Sequence, residues 1–111
     1  MQLSEQRHGA VTVVKPYGPI NAEGADAFKD RLRTLADKSL GKIIVDAADV
    51  PYVDSRGLEV LVEVTDELSR SGQALHLCAT NDTLREVFQL TGLTSKFEFF
   101  EDATSAVRSF L

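Results

Sequence analysis

Three short apolar runs, at residues 11–14, 43–45 and 74–78, alternate with segments whose apolar residues recur at helical spacing. This alternation leaves few folds open. Ile43-Ile44-Val45 lacks the polar alternation of a half-exposed strand, so it is expected to be covered on both faces. Parallel neighbours of such a strand need crossover connections, and amphipathic helices supply them.

The remaining pattern fills in the order. Residues 1–5 alternate weakly, as an edge strand does, and residues 8–10 offer a turn into the stronger strand at 11–14. Pro16 and the Gly18-Pro19 pair are expected to end that strand, since proline cannot donate to a ladder. Asn21 suits the N-cap of a helix of about 15 residues carrying Ala25, Phe28, Leu32, Leu35 and Ala36, with Gly41 closing it.

The next helix opens at Asp54-Ser55. Leu58, Leu61, Val62, Thr65 and Leu68 are its expected core stripe, widened on one flank by Val60 and Val64. Glu59, Glu63, Asp66, Glu67 and Arg70 lie opposite, as a solvated face. Thr80 or Asn81 can cap a further helix bearing Leu84, Val87, Phe88 and Leu90, with Gly92 at its left-handed C′ position and Leu93 beyond. Residues 97–100 read as a last strand, and Ala103, Ala106, Val107 and Phe110 as a last helix. The order β-β-α-β-α-β-α-β-α predicts an α/β fold in one domain, residues 1–111. Its mixed, mainly parallel sheet has an antiparallel N-terminal edge hairpin and about four helices.

Charge and cysteine content narrow the functions. A net charge of −5 disfavours nucleic acid and anionic lipid headgroups as partners, and makes a basic protein surface electrostatically more plausible. The N-terminal residues lack the apolar core of a signal peptide, and no run approaches membrane-spanning length, so a cytoplasmic setting is expected. Cys78 is the one cysteine, which leaves no internal disulfide and no cysteine zinc cluster; it reads as a small core residue.

The stretch that carries chemistry is Val53-Asp54-Ser55-Arg56-Gly57-Leu58, preceded by Ile43-Ile44-Val45-Asp46. It places a small hydroxyl at a helix N-terminus, where free N–H groups and the dipole favour an anion. Serine is also among the preferred N-cap residues, so a cap and a phosphate seat occupy the same place. Asp54 can cap the helix itself or hold the loop. Gly57 costs on the order of 1 kcal/mol relative to alanine inside a helix. It signals either close packing or room for a partner.

These residues resemble the signature of STAS domains, the sulphate-transporter and anti-sigma-factor-antagonist domains. Gly18-Pro19-Ile20-Asn21-Ala22 is similar to the family's Gly-x-Leu-Asp-Ala, and Leu90-Thr91-Gly92-Leu93 to its Leu-x-Gly-Leu. Residues 97–110 match its closing strand and helix, so the resemblance runs in order along the whole chain. It implies a protein-binding switch and no enzyme. Ser55 matches the serine that a partner kinase, itself an anti-sigma factor, phosphorylates. Unphosphorylated antagonist binds that kinase and frees the sigma factor; phosphorylated antagonist is released, and a phosphatase resets it. The expected partner-binding residues are Asn21, Asp54, Ser55, Arg56 and Gly57.

Two positions depart from the family pattern. Arg56 stands where the family usually has a small residue; it projects to the polar side and can pair with a phosphate on Ser55 or change which partner fits. Asn21 stands where the family often has aspartate, which removes a negative charge near the serine.

Other chemistries have less support. Ser55 is not in a Gly-x-Ser-x-Gly elbow, and only His8 and His76 could serve as imidazole bases. There is no phosphate-cradling Gly-x-x-x-x-Gly-Lys-Ser/Thr loop and no His-x-x-x-His or Cys-x-x-Cys pair. No metal or cofactor is therefore expected. The remaining alternative is a STAS subunit of a lipid-transport ABC system, or of another signalling complex, in which Ser55 is a contact and is never phosphorylated.

Overall fold

A computed structural model describes residues 1–111. Strands β1 (Gln2–His8) and β2 (Val11–Tyr17) form a hairpin, and Gly9 takes the positive φ (64°) that its two-residue turn requires. Then follow α1 (Ala25–Lys38), β3 (Ile43–Asp46), α2 (Ser55–Ser69), β4 (Leu75–Cys78), α3 (Asp82–Leu90), a 3₁₀ turn (Thr94–Lys96), β5 (Phe97–Phe100) and α4 (Ala103–Arg108). The sheet order is β1-β2-β3-β4-β5, with β1 antiparallel to β2 and every other pair parallel. This is the mixed α/β sheet that the alternation predicts. No helix is long and apolar enough to cross a membrane.

The two faces of the sheet are covered unequally. Val14, Ile43, Val45, Leu75, Leu77 and Phe97 point to the side packed by α1, α2 and α3. Val11, Val13, Ile44 and Cys78 point to the other, which α4 covers with Ala106. Burial pushes the Cys78 thiol up to about 12, so it stays a neutral packing group. His76 also lies on this second face, stacked between Phe100 and Phe110 at ring-centroid distances of 5.2 and 4.1 Å. Its half-buried imidazole is held below its ordinary pKa by desolvation.

Several expectations need correction. Pro16 stands inside β2, opposite Leu3 of β1 and beyond the last β2–β3 pair at Val14, where its lack of an N–H costs no ladder bond to β3. Asn21 does not cap α1. The helix starts four residues later behind Gly24, and the Asn21 carbonyl accepts from the amides of Gly24 and Ala25 in an extra turn. The buried stripe of α2 is Gly57, Val60, Leu61, Val64, Thr65 and Leu68, so Val60 and Val64 are core while Leu58 and Val62 are the half-exposed flank. Leu90 is 79% exposed rather than packed.

The end of α1 also differs from expectation. Leu40, not Gly41, takes the C′ position of a Schellman motif. Gly41 N–H donates to Ala36 O (2.8 Å) and Leu40 N–H to Asp37 O (3.4 Å). Leu40 has φ 53° and is 81% exposed, so an L-residue carries left-handed strain with little packing in return. Leu40→Gly is expected to raise stability by about 0.5 kcal/mol, because relief of strain slightly exceeds glycine's entropic cost. Thermal melts check this, and a lower midpoint would mean that the exposed side chain packs after all.

Candidate functional site

Two loops at the C-terminal ends of β2 and β3 run side by side. Gly18 N–H donates to Asp49 O (3.0 Å), Ile20 N–H to Tyr52 O (3.2 Å), and Asp54 N–H to Ile20 O (3.2 Å). An isolated parallel bridge joins Ile20 to Val53. The two sequence stretches singled out above, around Asn21 and Ser55, therefore form one structure.

A third element holds it from below. Asn81 caps α3 by accepting from Leu84 N–H (2.8 Å), while its amide donates to the carbonyls of Val50 (3.3 Å) and Pro51 (3.4 Å). The sequence marks Asn81 as a cap only. Its second duty depends on a loop some thirty residues away in the chain.

Asp54 is the cap of α2. Its Oδ1 accepts from Gly57 N–H (2.8 Å), and its Oδ2 accepts from Ala22 N–H across the loop (2.9 Å). Both oxygens are used, and these amides hold the carboxyl below its usual pKa, Gly57 contributing most. Ser55 thus occupies the first position inside the helix. Its side chain is exposed and its hydroxyl makes no hydrogen bond within the chain.

A stability contrast follows. Asp54→Ala should lower the melting midpoint by roughly 5 °C, the scale of a lost cap in a chain of this size. Ser55→Ala should leave it within about 1 °C. Because the folded pKa of Asp54 is depressed, its contribution is fully present at neutral pH. That contribution is lost as pH falls through the ordinary carboxylate range and then the folded value. The gap between wild type and Asp54→Ala should therefore narrow progressively in melts taken below the ordinary carboxylate range.

Gly57 is buried. A Cβ built on it would lie 2.1 Å from Ile20 O and 2.8 Å from Val53 Cγ1. The close packing expected of it is present, against the Ile20 backbone and Val53. Its part in the site is to let α2 approach the Asn21 loop.

Arg56 does project to the polar side, but that side is not simply solvated. Its guanidinium donates to Asp26 on α1, to Glu59 (2.9 Å) and to Glu63 (3.2 Å). Lys29 pairs with Glu63 (3.2 Å), and Arg33 with Glu67 through two N–H···O bonds. The acidic side of α2 is thus laced to α1 along their seam. Asp26 and Glu63 are both held below their usual pKa, by the hydrogen bond from Arg56 and chiefly by Lys29 respectively.

One feature of the site was missed from sequence. Leu58 and Val62, assigned there to the core, form with Leu93 a shallow half-exposed apolar strip beside Ser55, rimmed by Glu59 and Glu63. Leu93 reaches it from the Schellman motif that ends α3, where its N–H donates to Phe88 O (2.9 Å). Tyr52, 49% exposed, stands two residues before Asp54. The only available signal was the surplus of apolar residues on α2, more than one stripe needs.

Both imidazoles lie away from Ser55. His8 ends β1 at the hairpin turn, opposite to the Tyr17 end of β2 that leads into the site. His76 is on the face covered by α4. No His, Cys, Asp and Glu side chains converge in a group that could hold a metal ion.

The loop pairing and the capped serine turn are joined by a match to a known domain: the sequence model of the STAS domain covers residues 2–106. The chain belongs to the STAS domain family. Among curated relatives, the anti-sigma-B factor antagonist of Listeria monocytogenes is 32% identical over 81 residues, 73% of this chain and 71% of that protein. The crystal structure of a candidate anti-sigma factor antagonist from Thermotoga maritima superposes with TM-score 0.88 at 25% identity, covering 96% and 92% of the two chains. The Bacillus cell fate determinant SpoIIAA in its phosphorylated form shares the fold, with TM-score 0.74, 18% identity and coverage of 99% and 100%. The STAS domain described here keeps that five-stranded sheet and its four helices.

Proposed function

We propose that this STAS domain, acting as one unit over residues 1–111 in the cytoplasm, is a non-enzymatic anti-sigma factor antagonist switched by phosphorylation of Ser55. The observation that carries the reading is the division of labour at the turn. Asp54 does the capping, which leaves the Ser55 hydroxyl exposed and without a structural partner. The relative named as an anti-sigma-B factor antagonist supports the antagonist part of this reading.

In the unphosphorylated state the partner is an anti-sigma factor with serine kinase activity. It covers Ser55, the Leu58–Val62–Leu93 strip and the exposed edge of the Asn21 loop. Glu59 and Glu63 on the rim suit a basic surface on that partner. The kinase transfers the γ-phosphoryl group of ATP to Ser55 Oγ: a new P–O bond forms, the bond to the β-phosphate oxygen breaks, ADP leaves and the hydroxyl proton is released. The product carries roughly −1.5 to −2 charge at the interface centre. A helix N-terminus tolerates that charge, whereas a packed partner would have to desolvate it, so the complex dissociates and the domain stays folded. A phosphatase restores the binding form.

Incubation with ATP and the cognate kinase, followed by phosphosite mapping, tests the assignment. Phosphate on Ser55 alone is the expected result. A chain that binds its partners without ever being modified would instead be a constitutive STAS subunit, as in an ABC lipid-transport system.

A further inference from the structure

We propose that Arg56 receives the phosphate on Ser55, and that in doing so it gives up its tie to Asp26 and loosens α1 from the start of α2. The inference rests on Ser55 being the phosphosite, and it concerns how the modification is read.

Arg56 follows Ser55 directly, and its guanidinium is anchored only by carboxylates at the surface. The side chains of Asp26 and Glu59 are 69% and 63% exposed, against 29% for Arg56 itself. Exposed pairs of this kind are weak and exchange readily. The Nε–H of Arg56 makes no hydrogen bond; only its two Nη groups are engaged.

The helix dictates what a phosphate would meet. Ser55 and Glu59 are four residues apart and so share one ridge of α2. A phosphate on Ser55 would stand over the Glu59 carboxylate, and Arg56 is the cation already bonded to that carboxylate. The other basic residues of the seam have partners of their own, Lys29 with Glu63 and Arg33 with Glu67. Asp54 cannot turn away to make room, since both its oxygens hold backbone amides. A phosphate binds guanidinium through charge-assisted and bidentate bonds, and its charge exceeds that of any one carboxylate here. Arg56 therefore transfers to it.

The transfer has a distant consequence. Asp26 keeps its negative charge but loses the cation that joined it to α2, so the seam opens at that end. The surface around Ser55, where three carboxylates face Arg56 and Lys29, becomes strongly anionic. Phosphorylation is then reported on α1 as well as at the turn.

The test uses the full chain with phosphoserine installed at position 55 during synthesis, in the wild-type background and with Arg56→Gln and Arg56→Lys. Phosphorus NMR follows the second ionisation of the phosphate, and carbon NMR follows the Asp26 carboxyl. The phosphate is expected to titrate about half a unit or more higher in Arg56→Gln than in wild type, with Arg56→Lys between them. The Asp26 carboxyl, held low by Arg56 before modification, should move back up on phosphorylation in wild type and stay unmoved in Arg56→Gln. Identical phosphate titrations in wild type and Arg56→Gln would overturn the proposal, as would an Asp26 titration indifferent to the phosphate. No kinase or partner enters this experiment, so its failure leaves the binding switch standing. Failure of the switch in a binding assay would likewise leave these titrations as they are.

Discussion

Gly57→Ala is expected to cost about 2 kcal/mol and to lower the melting midpoint by roughly 10 °C. The sign is not the usual one for a helix. An interior glycine replaced by alanine normally gains about 1 kcal/mol from backbone propensity. Here the new methyl would lie 2.1 Å from Ile20 O, a backbone atom that cannot rotate aside. Overpacking of this kind costs up to about 3 kcal/mol, which exceeds the propensity gain. The displaced carbonyl is also the acceptor for Asp54 N–H, so the cap and the loop pairing shift with it. Urea unfolding of the variant checks the value. A neutral or stabilised Gly57→Ala would mean that α2 does not approach the Ile20 backbone as closely as described.

The sheet was legible because its signal is local. A strand buried on both faces needs unbroken apolar residues, as at Ile43-Ile44-Val45, and crossover helices need one apolar stripe each. The end of α3 was equally readable, since Gly92 at φ 70° and Leu93 beyond it are a sequence pattern with one geometric solution.

What escaped the sequence depended on contacts between distant residues. Asn21 is a good cap by type, yet the Ala22 amide beside it is bound by Asp54, and an extra turn intervenes before α1. Asp54 and Ser55 are both preferred caps and adjacent, so only the bond from Gly57 N–H decides between them. The apolar residues of α2 outnumber one stripe. Contact with α1 and the sheet settles that Val60 and Val64 go inward while Leu58 and Val62 stay half-exposed. The acidic residues opposite looked like a solvated face because their partners are distant or at the helix start. Lys29 and Arg33 lie on α1, Arg56 in the first turn of α2, and Lys96, which pairs with Asp66, in the 3₁₀ turn. At the site, the sequence marked the serine and its neighbours, and missed the strip and the Asn81 anchor.

The largest functional effect is expected from Ser55→Asp. The carboxylate would sit in the first turn of α2, where the dipole favours it, so the variant should melt within about 2 °C of wild type. Within an interface the same charge is unpaired and must be desolvated, a penalty of about 3 kcal/mol or more, which corresponds to a loss of at least about 100-fold in affinity. Ser55→Ala removes a hydroxyl that holds nothing in the free domain and should bind within about threefold of wild type.

Calorimetric titration of the cognate anti-sigma kinase with Ser55→Ala and Ser55→Asp, both shown to be folded, tests the switch most directly. Tight binding by the alanine variant and a loss of about 100-fold or more by the aspartate variant is the predicted result. Equal affinity of the two would contradict it.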